Sequence, residues 1–557
     1  MRSASGFCSH KTKAIVVLLI CVALCAAAYL CVWAARHLVL EGPLYSEQSG
    51  FYDEGFELKL HTLPGVRVYY TLDGSEPTEN SAEYHGPIRI DDATGRENLY
   101  AAMTGMSGTY GDYIPDFPVD KATVVKSIAV FGRYRSPVSV GVYFVGFGDK
   151  SGYDGVRIMS MIVDPDDLFS DSGIYVVGTL AGKPDATAEY TPGTYPANYN
   201  IETADMRRKA KITLWDADKS LLADETLAVG IHGGWSKSFR QKGFNFYSVK
   251  EYGPDAYGLG EYMLRTSGFR DTFQTMFRDV FNQELVATRD IATQSSSPCV
   301  LFINGEYWGL YNLQQRYNET YFKNRYGIEK DDVIVIKSGY VAQGKESDIE
   351  YYNALIDYAA THDLSVTENY DTICGMMDVQ SFIDYNCAQC YIANMDWPIN
   401  NDCCFRSRSA NGGSPYADGK WRWALYDTDD SDNVDITFPV MGRTASNPFT
   451  EEAHWAGDPA ETALMAALRK NAEFCRLFAK TFAEMANTNF RYETVKPLLD
   501  RYASTYRAPM VMTQRRFQTA AFTAGTFDAY VANIDEFFKN RGAYVVPYME
   551  EVFGHGD

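Results

Sequence analysis

An aspartate and an asparagine stand five residues apart in the segment YIANMDWPINN, at Asp396 and Asn401. The apolar residues before them are typical of a buried helix, and a helix must stop by Trp397 because the residue before a proline avoids helical dihedral angles. Asp396 is therefore predicted at a helix exit, positioned by a rigid element. An aspartate at such a place can orient an acceptor hydroxyl, and an asparagine can bind a metal. The same pair also occurs in ordinary turns.

A cluster of carboxylates follows the apolar segment WRWALY. Counting Asp435, five aspartates crowd nine residues, beginning with Asp427 and Asp429. Carboxylate oxygens at the end of a strand make a hard site that suits Mg²⁺ or Mn²⁺. Their mutual repulsion favours a bound cation, although an exposed acidic loop would also tolerate them.

A glycine-bearing turn precedes both segments, in GIHGGWSKSFRQKGFNFY, with Gly233, Gly234 and Ser236 in the turn. It leads into an alternating strand that is predicted to hold Lys242. Glycine lets backbone N–H groups approach phosphate oxygens, and a lysine on the strand can reach the same phosphates. Paired glycines also serve ordinary hairpins.

A helix is predicted between the turn and the aspartates. Phe277, Val280, Phe281 and Leu285 have the spacing of a helix packed on a core. Its acids, Asp279 or Glu284, are candidate partners for Lys242, and solvated surface charges are the alternative. The order of turn and lysine, acidic helix, Asp-x4-Asn loop and acidic metal strand is the order of parts in a protein kinase.

The elements that must position these residues fall in one large region. From about residue 153 the pattern gives strands first and helices later, which indicates an α+β domain, taken as 153–552. The stretch 46–145 alternates apolar and polar residues between turns such as Asp73-Gly74, which predicts a small β-domain.

Residues 14–35 carry no charge and are long enough to cross a bilayer as a helix. Arg2, Lys11 and Lys13 precede them, so residues 1–13 are predicted to be cytoplasmic and the rest of the chain extracytoplasmic at the cell membrane. A cleaved signal peptide is the alternative, but no clean cleavage site follows Trp33.

The composition of the chain argues against nucleic acid as a partner. Lys and Arg number 51 and Asp and Glu 72, a net charge of −21, which disfavours nucleic acid because such binding depends on neutralising phosphates. The four cysteines Cys387, Cys390, Cys403 and Cys404 suggest zinc, but adjacent cysteines rarely reach one tetrahedral ion, and buried thiols are favoured.

The motifs together resemble the CotH kinase family. The phrases that carry the resemblance are GIHGGWSKSFRQKGFNFY, LRTSGFRDTFQTMFRDVFNQELV, LFINGEYWGLYNLQQRY, YIANMDWPINN and GKWRWALYDTD. The resemblance implies a divergent protein-kinase-like fold that uses ATP and Mg²⁺ or Mn²⁺ to phosphorylate Ser or Thr of proteins.

Carried onto this chain, the resemblance implies that Lys242 contacts phosphates beside Gly233, Gly234 and Ser236. Asp396 would be the catalytic acid residue, which positions the acceptor hydroxyl or accepts its proton. Asn401, Asp427 and Asp429 would hold metal, with the choice between the two aspartates left open. Two departures, Gln315 and the pair Asp430-Ser431 where many relatives carry Glu and Phe-Gly, bear on nucleotide geometry rather than on the fold.

The segment YTLDGSEPT in the N-terminal stretch resembles the chitobiase/β-hexosaminidase C-terminal module, an immunoglobulin-like β-sandwich attached to extracellular enzymes. This implies a spacer more than a glycan-binding module. The leading hypothesis is therefore phosphoryl transfer to an extracytoplasmic or cell-surface protein. The alternatives are a catalytically inactive surface scaffold or adhesin, and a protein that binds cell-wall glycan.

Overall fold

The computed structural model describes residues 15–17, 19–20, 22, 40–148, 150–185, 187–268, 270–398, 400–432, 443–449, 459–517 and 521–554. The predicted cytoplasmic tail 1–13 and most of the predicted membrane segment 14–35 lie outside these residues. Among the residues described, no helix combines the length and the apolar character needed to span a bilayer.

The chain divides into two compact units. The N-terminal unit comprises Met1–Ser49, Glu54–Asp91 and Thr123–Tyr143, and the main unit comprises Gly50–Asp53, Asp92–Ala122 and Phe144–Asp557. The first ten strands are β1 Leu44–Tyr45, β2 Gly50–Tyr52, β3 Phe56–Leu58, β4 Leu60–His61, β5 Arg67–Thr71, β6 Ala82–Glu83, β7 Ile88–Ile90, β8 Thr123–Phe131, β9 Tyr134–Arg135 and β10 Ser139–Val145.

The N-terminal unit is built from antiparallel pairs, as its alternating sequence predicts. Strand β8 pairs with both β5 and β10, β6 pairs with β5, and two short ladders join β1 to β4 and β3 to β7. Tyr69, Ile128 and Val130 pack together as a buried cluster. The expected β-rich N-terminal region is therefore present.

The main unit begins with a closed barrel of seven strands, in the order β11-β12-β13-β14-β15-β17-β16. Their bounds are β11 Arg157–Val163, β12 Arg208–Trp215, β13 Leu221–His232, β14 Gly243–Tyr247, β15 Tyr262–Arg265, β16 Ser296–Ile303 and β17 Glu306–Gln315. Only the β11–β16 pair is parallel among these strands. Alternate residues of the strands fill the barrel, with Met161, Ile212, Phe244 and Leu301 fully buried.

A second sheet and most of the helices follow the barrel. The sheet has the order β19-β18-β20-β21, formed by β18 Val333–Lys337, β19 Tyr340–Gln343, β20 Cys403–Ser407 and β21 Arg422–Trp423. The helices are α1 Pro165–Phe169, α2 Arg278–Leu285, α3 Glu319–Tyr326, α4 Ile349–Thr361, α5 Thr367–Met376, α6 Val379–Ile392, α7 Pro459–Leu468, α8 Ala472–Asn487, α9 Tyr492–Phe517 and α10 Ala524–Phe553. The mixed α+β class expected from the sequence is confirmed.

The structure agrees with two local predictions about helices and differs from the predicted position of Lys242. The helix predicted around Phe277 and Leu285 is present as α2, and all but one of its residues are buried. The helix before Asp396 ends at Ile392, because Ala393 adopts the left-handed conformation (φ 52°) that closes it. Lys242 was expected on a strand, but it stands one residue before β14 begins.

Candidate functional site

The loop that follows α6 holds Asp396 in a fixed orientation. The amide Nδ2 of Asn400 donates to Asp396 Oδ1 at 2.8 Å, and Nδ2 of Asn401 donates to Asp396 Oδ2 at 2.8 Å. The Asn400 backbone N–H also donates to the Asp396 carbonyl at 2.8 Å. The five-residue spacing between Asp396 and Asn401 thus closes a tight loop in which both oxygens of the carboxylate are already oriented.

The same loop is attached to the carboxylate cluster. Asn401 Nδ2 also donates to the backbone carbonyl of Asp427 at 3.1 Å. Two backbone hydrogen bonds, Met395 N–H to the Asp430 carbonyl at 2.9 Å and Asp432 N–H to the Ile392 carbonyl at 3.0 Å, join the two segments further along. The structure therefore brings Asp396, Asn401 and Asp427 together although 31 residues separate the first from the last in the chain.

One guanidinium lies between the two predicted metal aspartates. Arg265, the last residue of β15, donates from Nη2 to Asp427 Oδ1 at 2.6 Å and from the same nitrogen to Asp429 Oδ2. Asp429 is nearly inaccessible, with 2% of its side chain exposed, whereas Asp427 exposes 33%. Ser267 Oγ contacts Asp429 Oδ1 from the other side.

The two aspartates have opposite ionisation tendencies. Burial, opposed by Arg265 and reinforced by the charge of Asp429, raises the pKa of Asp427 well above its usual range. Burial acts in the same direction on Asp429, but Arg265 and hydrogen bonds from Asp427 and Ser267 outweigh it and lower the pKa of that carboxyl. Two close carboxylates that share one proton are a typical result of like-charge repulsion. A divalent cation would favour the fully ionised pair.

Asp279 on α2 fixes both Arg265 and the metal segment. Its Oδ2 accepts from Arg265 Nη1 at 3.3 Å, and its Oδ1 accepts from the backbone N–H of Thr428 at 2.9 Å. Gln283 and Gln314 donate to the same carboxylate at 2.9 and 3.0 Å. Asp279, one of the two acids predicted to pair with Lys242, therefore pairs with Arg265 instead. The other candidate, Glu284, contacts Arg501 and Tyr502 instead.

The backbone around the carboxylates is closely fitted. A Cβ on Gly268 would lie 2.5 Å from Asp429 Oδ2 and 3.1 Å from Asp427 Oδ1, so only glycine fits there. Ser267, Asn401 and Asp427 all have positive φ angles, of 60°, 62° and 52°. Such conformations are uncommon for residues with a Cβ and gather at functional sites, where the surrounding contacts hold them.

A cavity of about 550 Å³ opens beside this cluster. Its wall combines the glycine turn with the end of β15 and the start of the acidic segment. The lining residues include Gly233, Gly234, Ser236, Lys237, Arg265, Ser267, Gly268 and Asp427. The volume lies in the range of sites for small molecules and cofactors. Three of the four residues predicted to bind the nucleotide therefore line the same cavity as Asp427.

Lys242 is the fourth, and it lies beneath the turn rather than on the cavity wall. Its ammonium donates to the carbonyls of Lys237 and Phe239 at 2.6 Å each and lies 4.0 Å from the centre of the Tyr199 ring. No carboxylate pairs with it in the described part of the chain. Complete burial lowers the pKa of Lys242 well below its usual range. The lysine on the wall is Lys237, which pairs with the exposed Glu202.

Cations surround the His232 side of the cavity, although Glu202 and Asp427 also line its wall. His232 on its wall has a pKa lowered to about 3, first by burial and then by Arg265, Arg316, Lys337 and Lys237. A second cavity of about 720 Å³ shares five lining residues with the first, among them His232, Tyr247 and Tyr426, and adds Arg316 and Lys337.

Aromatic rings hold the cations of this second cavity in place. The Arg207 and Arg316 guanidiniums lie 3.7 and 4.9 Å from the centre of the Tyr247 ring, and the Lys337 ammonium lies 3.9 Å from that of Tyr426. Within the described ranges, none of these three cations forms an ion pair with a carboxylate. No ion pair among the described residues therefore neutralises these three cations, although Asp255, Glu261 and Glu319 also line this cavity.

The segment after Asp429, Asp430-Ser431-Asp432, is anchored by polar contacts. Asp430 accepts from Arg443 at 2.9 Å, and Ser431 Oγ accepts from Asn282 Nδ2 at 2.9 Å. Arg278 Nη1 donates to the carbonyl of Asp432 at 2.7 Å. The departure at Asp430-Ser431 is thus accommodated by polar contacts to α2 and to Arg443.

The donors fit a divalent cation only in part. In the described portion of the chain, no group of three His, Cys, Asp or Glu side chains is arranged to hold a metal. Asp427 and Asp429 supply two hard oxygen donors, and Mg²⁺ completes its shell with waters and substrate phosphates. The set therefore fits a cation that arrives with a phosphate ligand. The four cysteines considered for zinc are buried and free, and burial raises the pKa of Cys403 to about 12.

Sequence reasoning missed several residues of this site, chiefly Arg265, Lys237, Ser267 and Gly268. Arg265, Ser267 and Gly268 stand in the phrase LRTSG directly after an alternating strand, and Lys237 stands within the glycine turn. The end of a strand next to a glycine, as in LRTSG, is a sequence signal that could have identified Arg265, Ser267 and Gly268. No local signal distinguishes Lys237 from Lys242, because the difference depends on how the turn folds back.

Two family models match the chain. The model described as CotH kinase protein matches residues 229–545, which is more than half of the chain, and the model described as Fn3 associated matches residues 57–143. The first match contains every residue of the site from Gly230 to Asp432. A comparison with curated proteins gives no match.

Proposed function

The chain belongs to the family of CotH kinase proteins, and from this premise we propose that it transfers the γ-phosphoryl group of ATP to a serine or threonine hydroxyl of a protein. The family supports a kinase-like function. The donor, the acceptor and the location that follow are our inference from the site.

One observation carries the proposal: a single asparagine side chain, Asn401, bonds both the Asp396 carboxylate and the Asp427 backbone. A residue able to take the proton of an acceptor hydroxyl is thereby held beside a pair of carboxylates suited to a cation. Kinases need this pairing because their catalysis consists mainly of positioning and electrostatic stabilisation.

The expected ligands of the cation are Asp427, Asp429 and Asn401. A bound Mg²⁺ or Mn²⁺ would neutralise the charge that develops on the transferred phosphoryl group. The chain's own contribution is to hold the two carboxylates close together beside Gly268.

The two joined cavities offer room for a nucleotide. We place its phosphates beside Gly233, Gly234, Ser236 and Lys237 in the first cavity, because backbone N–H groups at glycine turns and a lysine suit phosphate oxygens. The nucleoside would lie in the second cavity, whose wall includes Tyr247 and Tyr426.

In the transfer itself, Asp396 accepts the proton of the acceptor hydroxyl. The acceptor oxygen forms a bond to the γ-phosphorus as the bond from that phosphorus to the β–γ bridging oxygen breaks, and ADP leaves. Because Asn400 and Asn401 occupy both carboxylate oxygens with hydrogen bonds, Asp396 stays oriented while the hydroxyl approaches.

The proposed location is outside the cell membrane, anchored by residues 14–35. The support is the uncharged run with basic residues before it, together with the β-rich Fn3-associated module that follows. The acceptor would then be an extracytoplasmic or cell-surface protein, and cell-wall glycan is a candidate ligand of the module.

A second candidate function is a catalytically inactive surface scaffold or adhesin. The observation that favours it is that Arg265 already neutralises Asp427 and Asp429, as a bound cation would. Thermal unfolding with and without ATP and Mn²⁺ distinguishes the two functions, because a scaffold would show no thermal shift.

The direct test uses the full-length protein, purified in detergent, with γ-labelled ATP and Mg²⁺ or Mn²⁺. We expect label on the protein itself or on a serine- and threonine-containing peptide library, and background labelling from the Asp396→Ala variant. Equal labelling by both proteins, at equal folded fraction, would overturn the assignment.

A further inference from the structure

Arg265 occupies the position that a metal ion would need. Its Nη2 contacts Asp427 Oδ1 at 2.6 Å and also Asp429 Oδ2. These are the same two oxygens that a Cβ at position 268 would meet, at 3.1 and 2.5 Å. Both carboxylates thus face Arg265 Nη2, and both also lie against Gly268 at a separate position.

The other end of the guanidinium is anchored independently. Nη1 donates to Asp279 Oδ2 at 3.3 Å, and Asp279 is itself held by Gln283 and Gln314. Arg265 can therefore release the aspartates through Nη2 without losing its attachment to α2. Arg265 also lines the cavity assigned to the phosphates, so a released Nη2 has an anionic partner within reach.

We propose that Arg265 is a resident counter-cation that is exchanged for the divalent metal when nucleotide arrives. In the absence of nucleotide it pairs with both Asp427 and Asp429. On loading, the metal takes these oxygens and the guanidinium turns to the phosphates, still held by Asp279. Arg265 is thus a positioning residue that suppresses metal binding without nucleotide, and this inference rests on the proposed function.

The energetic reason for exchange is charge balance. Two close carboxylates, of which Asp429 is buried, are unfavourable without a cation, and a divalent ion placed beside them with the arginine still present would add repulsion between cations. Metal and guanidinium therefore compete for one position. A nucleotide removes the competition, because its phosphates offer Arg265 a second set of acceptors.

The test measures binding of Mn²⁺ alone to the full-length protein, from the electron paramagnetic resonance signal of free Mn²⁺, and then binding of ATP. We expect Arg265→Gln to bind Mn²⁺ at least about tenfold more tightly than the wild type, because the competing cation is gone. The same variant should bind ATP more weakly. Arg265→Lys keeps one positive charge but not the forked geometry. Its affinities for Mn²⁺ and for ATP should therefore lie between those of the wild type and Arg265→Gln.

The control is Arg408→Gln, which removes a guanidinium from Asp348, a pair 2.6 Å apart and outside the site. It should leave Mn²⁺ affinity unchanged. If Arg265→Gln and the wild type bind Mn²⁺ equally while both bind ATP, the exchange is wrong and the proposed function stands. If the wild type binds ATP with Mn²⁺ no better than ATP alone, both are wrong. Should Arg265→Gln fail to fold, Arg265→Lys with wild-type Mn²⁺ affinity would overturn the exchange by itself.

Discussion

The side-chain amide of Asn401 donates to the Asp396 carboxylate at 2.8 Å and, from the same nitrogen, to the Asp427 carbonyl at 3.1 Å. One short polar side chain therefore joins the loop after α6 to the carboxylate segment after β21. Because Asp396 and Asp427 are set relative to each other by this amide, the chemistry proposed for them depends on its position as much as on the acids.

The first prediction concerns the proton acceptor. Asp396→Asn keeps the size of the side chain and removes its basicity, so phosphoryl transfer should fall by about 10²–10⁴-fold while ATP affinity stays near that of the wild type. Label transfer and equilibrium ATP binding measure the two effects. A matched control is Asp363→Asn on the surface, which should leave both unchanged. Weakened ATP binding with unchanged transfer would contradict the assigned role.

The second prediction separates two lysines that look alike in the sequence. Lys237→Ala should weaken ATP binding by about tenfold or more, because a charge-assisted contact to phosphate is lost from the cavity wall. Lys242→Met should instead destabilise the protein by about 1–3 kcal/mol, since it leaves the buried carbonyls of Lys237 and Phe239 without a donor.

Calorimetric ATP binding and thermal unfolding check both lysine variants at equal folded fraction. If Lys242→Met abolishes ATP binding while the protein remains folded, Lys242 contacts the phosphates, as its position after the glycine turn predicts. The turn would then have to open in the bound state.

Elements of the fold could be predicted from the sequence where apolar residues repeat with a single period. Apolar residues at helical spacing gave α2, and the proline after Trp397 placed the end of α6 correctly to within a few residues. Lys242 was misplaced because strand alternation begins only at Gly243, and the residues before it fold into a turn whose carbonyls capture the ammonium.

The acidic residues of the site could be predicted from the sequence, but the cationic residues could not. Asp396, Asn401 and Asp427 are close together as their motif spacing suggests, since each follows a helix or strand end. Arg265 could not be assigned, because its partners Asp279 and Asp427 come from a helix and a segment 14 and 162 residues further along the chain. A parallel bridge between Ala424 and Ala292 joins the segment before Asp427 to the chain after α2, and no local pattern predicts this contact.

The third prediction tests the close fit of the carboxylates. Gly268→Ala would put a methyl group 2.5 Å from Asp429 Oδ2, so it should displace the carboxylate and abolish binding of ATP with Mn²⁺, at a stability cost of about 1–3 kcal/mol. Gly375→Ala, in α5 with open space around the new Cβ, is the control and should be neutral or slightly stabilising. Normal metal-dependent binding in Gly268→Ala would show that the carboxylates do not need this geometry.

The fourth prediction follows from His232. Its pKa is lowered to about 3 in the folded protein, below that of an unfolded histidine, so its neutral form contributes stability that is present at neutral pH and is lost as pH falls. Relative to His232→Gln, the wild type should therefore lose thermal stability as pH falls from about 7 to about 3.

Inorganic tripolyphosphate should reduce this loss, because an anion beside Arg265, Arg316, Lys337 and Lys237 raises the pKa of His232. Thermal unfolding of both proteins at several pH values, with and without tripolyphosphate, measures the effect. A pH-dependent difference that tripolyphosphate leaves unchanged would mean that the cavity does not bind polyphosphate.

We propose that Asp427 and Asp429 bind a metal while the adjoining cavity holds the phosphates of a nucleotide. The most direct measurement is a crystal structure with a non-hydrolysable ATP analogue and Mn²⁺, with data collected for anomalous scattering from manganese. We predict a manganese peak at Asp427 and Asp429, with the phosphates beside Gly233, Gly234 and Lys237. A nucleotide bound elsewhere, or a peak away from both aspartates, would contradict the claim.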